Sequence, residues 1–363
     1  MSSSKSDKFK ILALDGGGIR GVITARIVQE VQSQIGKPLN QYFDLIAGTS
    51  TGSILAAGIA LGREPEDLIK IYQERGREIF NASWLNKNVK RWFRGSKYCN
   101  KGLIKVLRDE LGEITLRQVS ETSKAELLIF AYDTLYRNTT FFTSCCPEEN
   151  RWFNNMKLWE VCLSSASAPT FFPPYEFKWT DPHDSRRSEW RFPHVDGGLS
   201  ANCPALAALS HVTGVRKKSI SDISILSIGT GATTQPLEYK ETNNWGTAEW
   251  GVHIPDVFMG GQIQLATDVC GQIIQSANPG GYLRLQFALN ERFGQRSTPF
   301  SPRQLLSQEE QKNRFINKKI NEDMDDASAE NIQNLLDATS KFVEEKSSAI
   351  KQFILTQEPA VLS

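Results

Sequence analysis

Two kinds of apolar pattern alternate along the first half of the chain. Residues 9–14, Phe-Lys-Ile-Leu-Ala-Leu, form a short, nearly unbroken apolar run that reads as a buried strand. It stops at Asp15-Gly16-Gly17-Gly18 and gives way to helical spacing, with Val22, Ile23, Ala25, Ile27, Val28 and Val31 on one broad face. Gly36-Lys37-Pro38 breaks that helix, and a second apolar run over residues 42–47 leads into Gly48-Thr49-Ser50-Thr51-Gly52 and a small-residue helix from Ser53. Strand, glycine turn, helix, then the same again, is the rhythm of a parallel sheet with helices on its faces.

Further on, the pattern predicts helices over residues 65–80 and 101–111. It predicts a strand over 126–133 with a neighbour at 139–144, and a helix over 159–168 that stops before Pro169. Residues 171–192 read as loop and short strand, and 223–228 as a strand closing in Gly229-Thr230-Gly231. From about Ser301 the chain turns charged and Gln/Asn-rich and is expected to be helical. Its last helix carries a stripe of Ile332, Leu335, Leu336, Thr339, Phe342, Val343, Ile350 and Phe353, expected to dock on the body. Residues 1–8 read as a disordered tail, 9–300 as one catalytic domain and 301–363 as a helical C-terminal extension.

Composition narrows the function classes. The chain has 363 residues and a net charge of +1, so a nucleic-acid polymer is not an expected partner. No apolar run approaches the about 18 residues of a membrane span, and the polar start lacks the apolar core of a secretory leader. A cytoplasmic protein is expected, with its six cysteines reduced. Those cysteines form no CxxC pair and have no histidine at ligand spacing, so neither a metal nor another cofactor is expected.

The glycine turns carry the chemistry. G-x-S-x-G between a strand and a helix holds a serine hydroxyl above the sheet, which makes Ser50 the candidate nucleophile, framed by Gly48, Thr49, Thr51 and Gly52. Gly16, Gly17 and Gly18 can offer backbone N–H groups to a developing oxyanion, with Arg20 steadying the loop. The same glycines fit G-x-G-x-x-G, but the acid nearest the second strand, Asp44, lies inside that run rather than after it, which disfavours a dinucleotide site. Asp196, followed by Gly197 and Gly198 in a tight turn, is the candidate base. His211 and His253 follow Asp196, so a Ser–Asp–His order is formally open.

Together, Asp15-Gly16-Gly17-Gly18-Ile19-Arg20-Gly21, Gly48-Thr49-Ser50-Thr51-Gly52 and Asp196-Gly197-Gly198 resemble the patatin-like phospholipase family. Residues 167–174 and Ile228-Gly229-Thr230-Gly231 support the match, and Asp325-Asp326-Ala327-Ser328 is similar to a C-terminal feature of bacterial members. The resemblance implies a three-layer α/β/α sandwich with a mostly parallel central sheet. It implies a Ser50–Asp196 dyad, an oxyanion loop at Gly17 and Gly18, no metal, and hydrolysis of membrane glycerolipids to fatty acid and lysolipid. Some bacterial members of similar plan are switched on by a cyclic nucleotide in antiviral defence, so the resemblance leaves room for such an activator and for a homo-oligomer. A storage or binding protein of the same fold with incidental esterase activity is the competing reading.

A lipid hydrolase works at an interface, peripheral to the membrane. Trp84, Lys87, Lys90, Arg91, Trp92, Phe93, Arg94 and Lys97 interleave basic and aromatic side chains without an acid. They are the candidate contact with an anionic surface or a phosphorylated regulator; the alternative is a solvated basic loop with its tryptophans packed inward.

Overall fold

Alternate residues of the central strands are buried on opposite faces of one sheet, which is why those strands read as unbroken apolar runs. In the computed structural model, residues 8–80, 95–146, 149, 151–181, 189–233, 235–294 and 303–357 are described. The strands are β1 (Phe9–Leu14), β2 (Leu45–Thr49), β3 (Glu126–Asp133), β4 (Asn138–Thr143), β5 (Tyr175–Trp179), β6 (Trp190–Asp196), β7 (Ile223–Ile228) and β8 (Tyr282–Leu285). The helices are α1 (Gly21–Ile35), α2 (Leu39–Tyr42), α3 (Thr51–Ala60), α4 (Pro65–Ile79), α5 (Lys101–Leu111) and α6 (Leu116–Thr122) in the first part. There follow α7 (Leu158–Ala166), α8 (Gly198–Ala201), α9 (Ala205–Gly214), α10 (Tyr239–Thr242), α11 (Thr247–Ala277) and α12 (Ala329–Gln357).

The sheet runs β5-β6-β3-β2-β1-β7-β8, with β4 paired to β3. From β3 to β8 the neighbours are parallel; β4, β5 and β6 add antiparallel pairs. Leu12, Leu14 and Ile46 face one core with side chains of α1, α3, α4, α5, α7 and α12. Ile11, Ala13, Leu45 and Ala47 face a smaller core closed by α9 and α11, through Ala205, Ala208, Leu209, Cys270 and Ile274. Helices thus cover both faces, giving the α/β/α sandwich that the strand–turn–helix rhythm predicts.

The register of β3 decides where the site forms. One edge of β3 is taken by β4 from Leu128 to Asp133. The other is taken by β2 up to Phe130, opposite Thr49, and from Ala131 by β6, opposite Asp196. A strand has two edges, so β6 continues the edge that β2 vacates. It arrives antiparallel, which brings its last residue end-on to the end of β2.

Two features depart from the sequence pattern. The helical C-terminal stretch expected from about residue 301 is shorter than predicted: residues 303–328 are irregular, with helix starting at Ala329. The intervening side chains serve as turn builders instead, as where Asn313 Oδ1 accepts from the Phe315 and Ile316 amides. The helix α11 has no counterpart among the predicted elements, because Gly251, Gly260, Gly261, Gly271 and Pro255 lower its propensity. By contrast, Ile332, Leu335, Leu336, Thr339, Phe342, Val343, Ile350 and Phe353 are all buried along α12, which packs on α1. Among the described residues no helix is long and apolar enough to cross a membrane.

Candidate active site

Ser50 stands at the turn between β2 and α3 with φ 53° and ψ −125°, left-handed backbone that a serine adopts only under constraint. Glycines make that constraint sterically feasible. A Cβ on Gly48 would stand 2.2 Å from the Gly52 carbonyl oxygen, and one on Gly52 would stand 2.2 Å from that of Leu14. The flanking threonines are ties: Thr49 Oγ1 donates to the Ala201 carbonyl at 2.6 Å, and Thr51 Oγ1 pairs with the Tyr72 hydroxyl at 2.6 Å. The Ser50 amide donates to Ser165 Oγ at 2.9 Å, and that hydroxyl donates onward to the Phe130 carbonyl at 2.6 Å.

Ser50 Oγ donates to Asp196 Oδ2 at 2.5 Å, a short hydrogen bond of the charge-assisted kind. The other carboxylate oxygen accepts from the Gly198 amide at 2.7 Å. The acid's own backbone is held from the end of α7, with the Asp196 amide donating to the Ser167 carbonyl at 3.0 Å and the Gly197 amide to that of Ser165 at 3.2 Å. Gly197 is a close approach: a Cβ there would lie 2.1 Å from the Phe130 carbonyl oxygen. Burial pushes the Asp196 carboxyl up to about 6, against the opposing pull of the hydrogen bonds from Ser50 and Gly198. A carboxylate with that affinity for protons is a far better base than an exposed one, yet is still ionised at neutral pH.

The glycine loop lies directly against this pair. A Cβ on Gly16 would sit 3.0 Å from Ser50 Cβ and 2.3 Å from Asn202 Oδ1. The Gly16 amide is already committed, donating to the Asn202 carbonyl at 3.1 Å, while its own carbonyl accepts from Thr230 Oγ1 at 2.9 Å. Gly16 is therefore a spacer and not an oxyanion donor. The amides of Gly17 and Gly18 donate to no protein acceptor among the described residues. Arg20 is buried and turned away; Nη1 reaches the Glu322 carbonyl at 3.4 Å. Burial works against its charge, and Glu322, Asp256 and Asp323 work for it. With the Ile19 amide donating to the Met324 carbonyl at 2.8 Å, the segment before α12 clamps the back of the glycine loop.

Other candidates fall elsewhere. Trp84, Lys87, Lys90, Arg91, Trp92, Phe93 and Arg94 lie outside the described residues. Lys97 is paired with Asp325 at 2.5 Å, and the Tyr98 hydroxyl donates to the same carboxylate at 2.6 Å, so the Asp325-Asp326-Ala327-Ser328 stretch is a latch. His194 is buried on β6, sharing a hydrogen bond with Thr140 at 2.9 Å and stacking on Trp152. His253 stacks on Trp245, and His211 lies buried on α9. No histidine among the described residues bonds to Ser50 or Asp196.

Ser165 and Asn202 are absent from the sequence-level candidates, and Thr230 and residues 325–328 appear there only as motif matches, with no role at the glycine loop. Ser165 had a faint signal, standing two residues before the Ser167-Ala168-Pro169 match. Asn202 lies four residues past Gly198 and Thr230 between Gly229 and Gly231, but only the fold reveals that they meet at Gly16.

The Patatin-like phospholipase family model matches residues 12–209, more than half of the chain. Patatin-T5 of Solanum tuberosum is 32% identical over 268 residues, 66% of this chain and 66% of its own. Patatin-2-Kuras 4 of the same plant is 30% identical over 305 residues, 76% of this chain and 78% of its own. A crystal structure of VipD from Legionella pneumophila aligns with 75% of this chain and 67% of that one at a TM-score of 0.32 and 12% identity. The glycine loop, the strained serine and the acid turn all fall within the matched residues, and the chain belongs to the patatin-like phospholipase family of lipid acyl hydrolases.

Proposed function

We propose that the chain hydrolyses acyl esters of membrane glycerolipids by a Ser50–Asp196 dyad. The observation that carries this reading is the 2.5 Å hydrogen bond from Ser50 Oγ to the buried Asp196 carboxylate. Asp196 accepts the hydroxyl proton as Ser50 attacks the ester carbonyl. The negative charge that develops on the carbonyl oxygen is met by the Gly17 and Gly18 amides and by the amino end of α3. Collapse of that intermediate expels the lysolipid alcohol, which takes the proton from Asp196, and leaves the fatty acyl group on Ser50. Water, deprotonated by the same carboxylate, then releases the fatty acid.

A lipid surface as the site of action finds support on α11. Trp250, Ile254, Val257, Phe258 and Leu265 are exposed there. Gln262 on the same helix donates to the Leu199 carbonyl, three residues past Asp196, at 2.7 Å. The helix has no lysine or arginine, so this face suits apolar insertion better than attraction to anionic headgroups.

Mass spectrometry of the products from mixed membrane lipids, for wild type and Ser50→Ala, tests the proposal. Free fatty acid and lysolipid from wild type alone are expected. Equal release by Ser50→Ala sinks the dyad, and wild type that cleaves only soluble esters sinks the membrane substrate. Repeating it with and without cyclic nucleotides tests the activator that the family resemblance raises.

A further inference from the structure

At the opposite end of β3 from the dyad, three chains of sequence meet around a second cluster of reactive side chains. Glu126 opens β3, Cys145 and Cys146 follow β4, and His211 comes from α9. One ligand atom from each of Glu126, Cys145 and His211 lies within 4.8 Å of the other two. The Cys146 Sγ is 2.9 Å from that of Cys145, and Cys146 has the left-handed φ of 54°. Along the strand the cluster is roughly 16 Å from Ala131, the residue opposite Asp196.

Two atoms of this cluster are buried without a hydrogen-bond partner: Glu126 Oε2 and His211 Nε2. His211 is only 8% exposed. A buried polar atom left unpaired costs on the order of 1–3 kcal/mol, and two in one cluster ask for a shared explanation. The remaining carboxylate oxygen, Oε1, is occupied by Arg216 at 2.5 Å, whose other guanidinium nitrogen points at Cys145 Sγ at 3.7 Å.

We propose that Glu126 Oε2, Cys145 Sγ and a ring nitrogen of His211 bind a divalent cation of the zinc class, with the fourth position left to water. The mixture of thiolate, imidazole and carboxylate is the donor set that such a borderline-soft ion takes in tetrahedral sites. Charge closes as well: one thiolate and one carboxylate match the dication. Arg216 then acts as the outer partner that orients the carboxylate and the thiolate, not as a rival for the site. The site would staple the β3–β4 pair to α9, the helix that starts three residues after Asn202.

The test uses the full chain, stripped with EDTA and kept under a phosphine reductant, and Zn2+ alone as the ligand, titrated against a chromophoric chelator. One ion per chain is expected, with unchanged binding by Ser50→Ala. Cys145→Ser and His211→Gln are expected to bind at least about 100-fold more weakly, beyond what loss of an outer partner costs. No binding above the chelator background, or wild-type affinity in both variants, overturns the site. If the variants fail to fold, wild type decides alone. Co2+ must give a thiolate-to-metal absorption band, and Zn2+ must protect Cys145 from alkylation, read by peptide mass mapping. A cobalt spectrum without that band, or unchanged alkylation, overturns the proposal.

Discussion

Replacing Asp196 by Asn is expected to stabilise the protein while removing its base. The carboxyl is raised from its ordinary 3.8 to about 6 by burial. At about 1.4 kcal/mol per pH unit, keeping it ionised in the fold costs roughly 3 kcal/mol. The sign follows from proton counting. Between 3.8 and about 6 the folded state holds a proton that the unfolded chain has released, so wild type loses stability as pH rises through that window and then levels off. Asn carries no such cost, and its geometry fits: the amide oxygen accepts from Gly198 as Oδ1 does now, and the amide nitrogen donates to Ser50 Oγ. The melting temperature of Asp196→Asn relative to wild type is therefore expected to climb across the window to a plateau on the order of 5 °C above pH 7. Ester turnover falls by about a thousandfold. Differential scanning calorimetry of both proteins from pH 4 to pH 8, with a fluorogenic ester assay alongside, measures this. An Asp196→Asn protein that melts at or below wild type at pH 8, or a difference that does not vary with pH, would refute the argument.

Wild-type turnover of a soluble ester is expected to rise with pH through about 6, as Asp196 becomes an ionised base; a rate flat from pH 5 to pH 8 contradicts that assignment. Ser50→Gly relieves the φ of 53° and is expected to be more stable than Ser50→Ala by about 1 kcal/mol, both being inactive; equal urea midpoints would count against strain. Gly52→Ala puts a methyl group 2.2 Å from the Leu14 carbonyl oxygen and is expected to cost more than about 3 kcal/mol or prevent folding; a near-normal melt would show that the elbow tolerates movement. Trp250→Gln with Phe258→Gln is expected to weaken sedimentation with zwitterionic vesicles about tenfold and spare soluble-ester turnover; unchanged sedimentation removes α11 from the interface.

The strands, the two glycine turns and the strained serine were legible because each leaves a local mark. A strand buried on both faces shows as an apolar run, and an elbow needs glycine at fixed offsets. The α12 stripe was legible for the same reason, since one face meets one surface along its length. What lay hidden is carried by contacts distant in sequence. Asn202 and Thr230 both hold Gly16, 186 and 214 positions away, and Met324 caps Ile19. Nothing in the local pattern distinguishes these residues from others of their kind. Helix α11 was hidden by its own glycines, although burial of Cys270 and Ile274 against the second core outweighs its weak propensity. The cluster at Glu126 escaped spacing rules because its ligands come from three separate elements.

The pairing of Ser50 with Asp196 is a consequence of strand length. Had β2 extended two residues further along β3, it would have occupied Ala131, and β6 would have had no edge on which to bring its carboxyl to the turn. β2 ends at Thr49 because Ser50 leaves the extended region for φ 53°, so the strain that turns the Ser50 hydroxyl out also frees the edge that seats Asp196. Ser165 reinforces the coupling: it accepts from the Ser50 amide and donates to Phe130, the last residue of β3 paired with β2. Its carbonyl meanwhile receives the Gly197 amide. One residue at the end of α7 therefore fixes the nucleophile, the strand edge and the acid turn together. A displacement of any one of them would be felt at the 2.5 Å bond between Ser50 and Asp196.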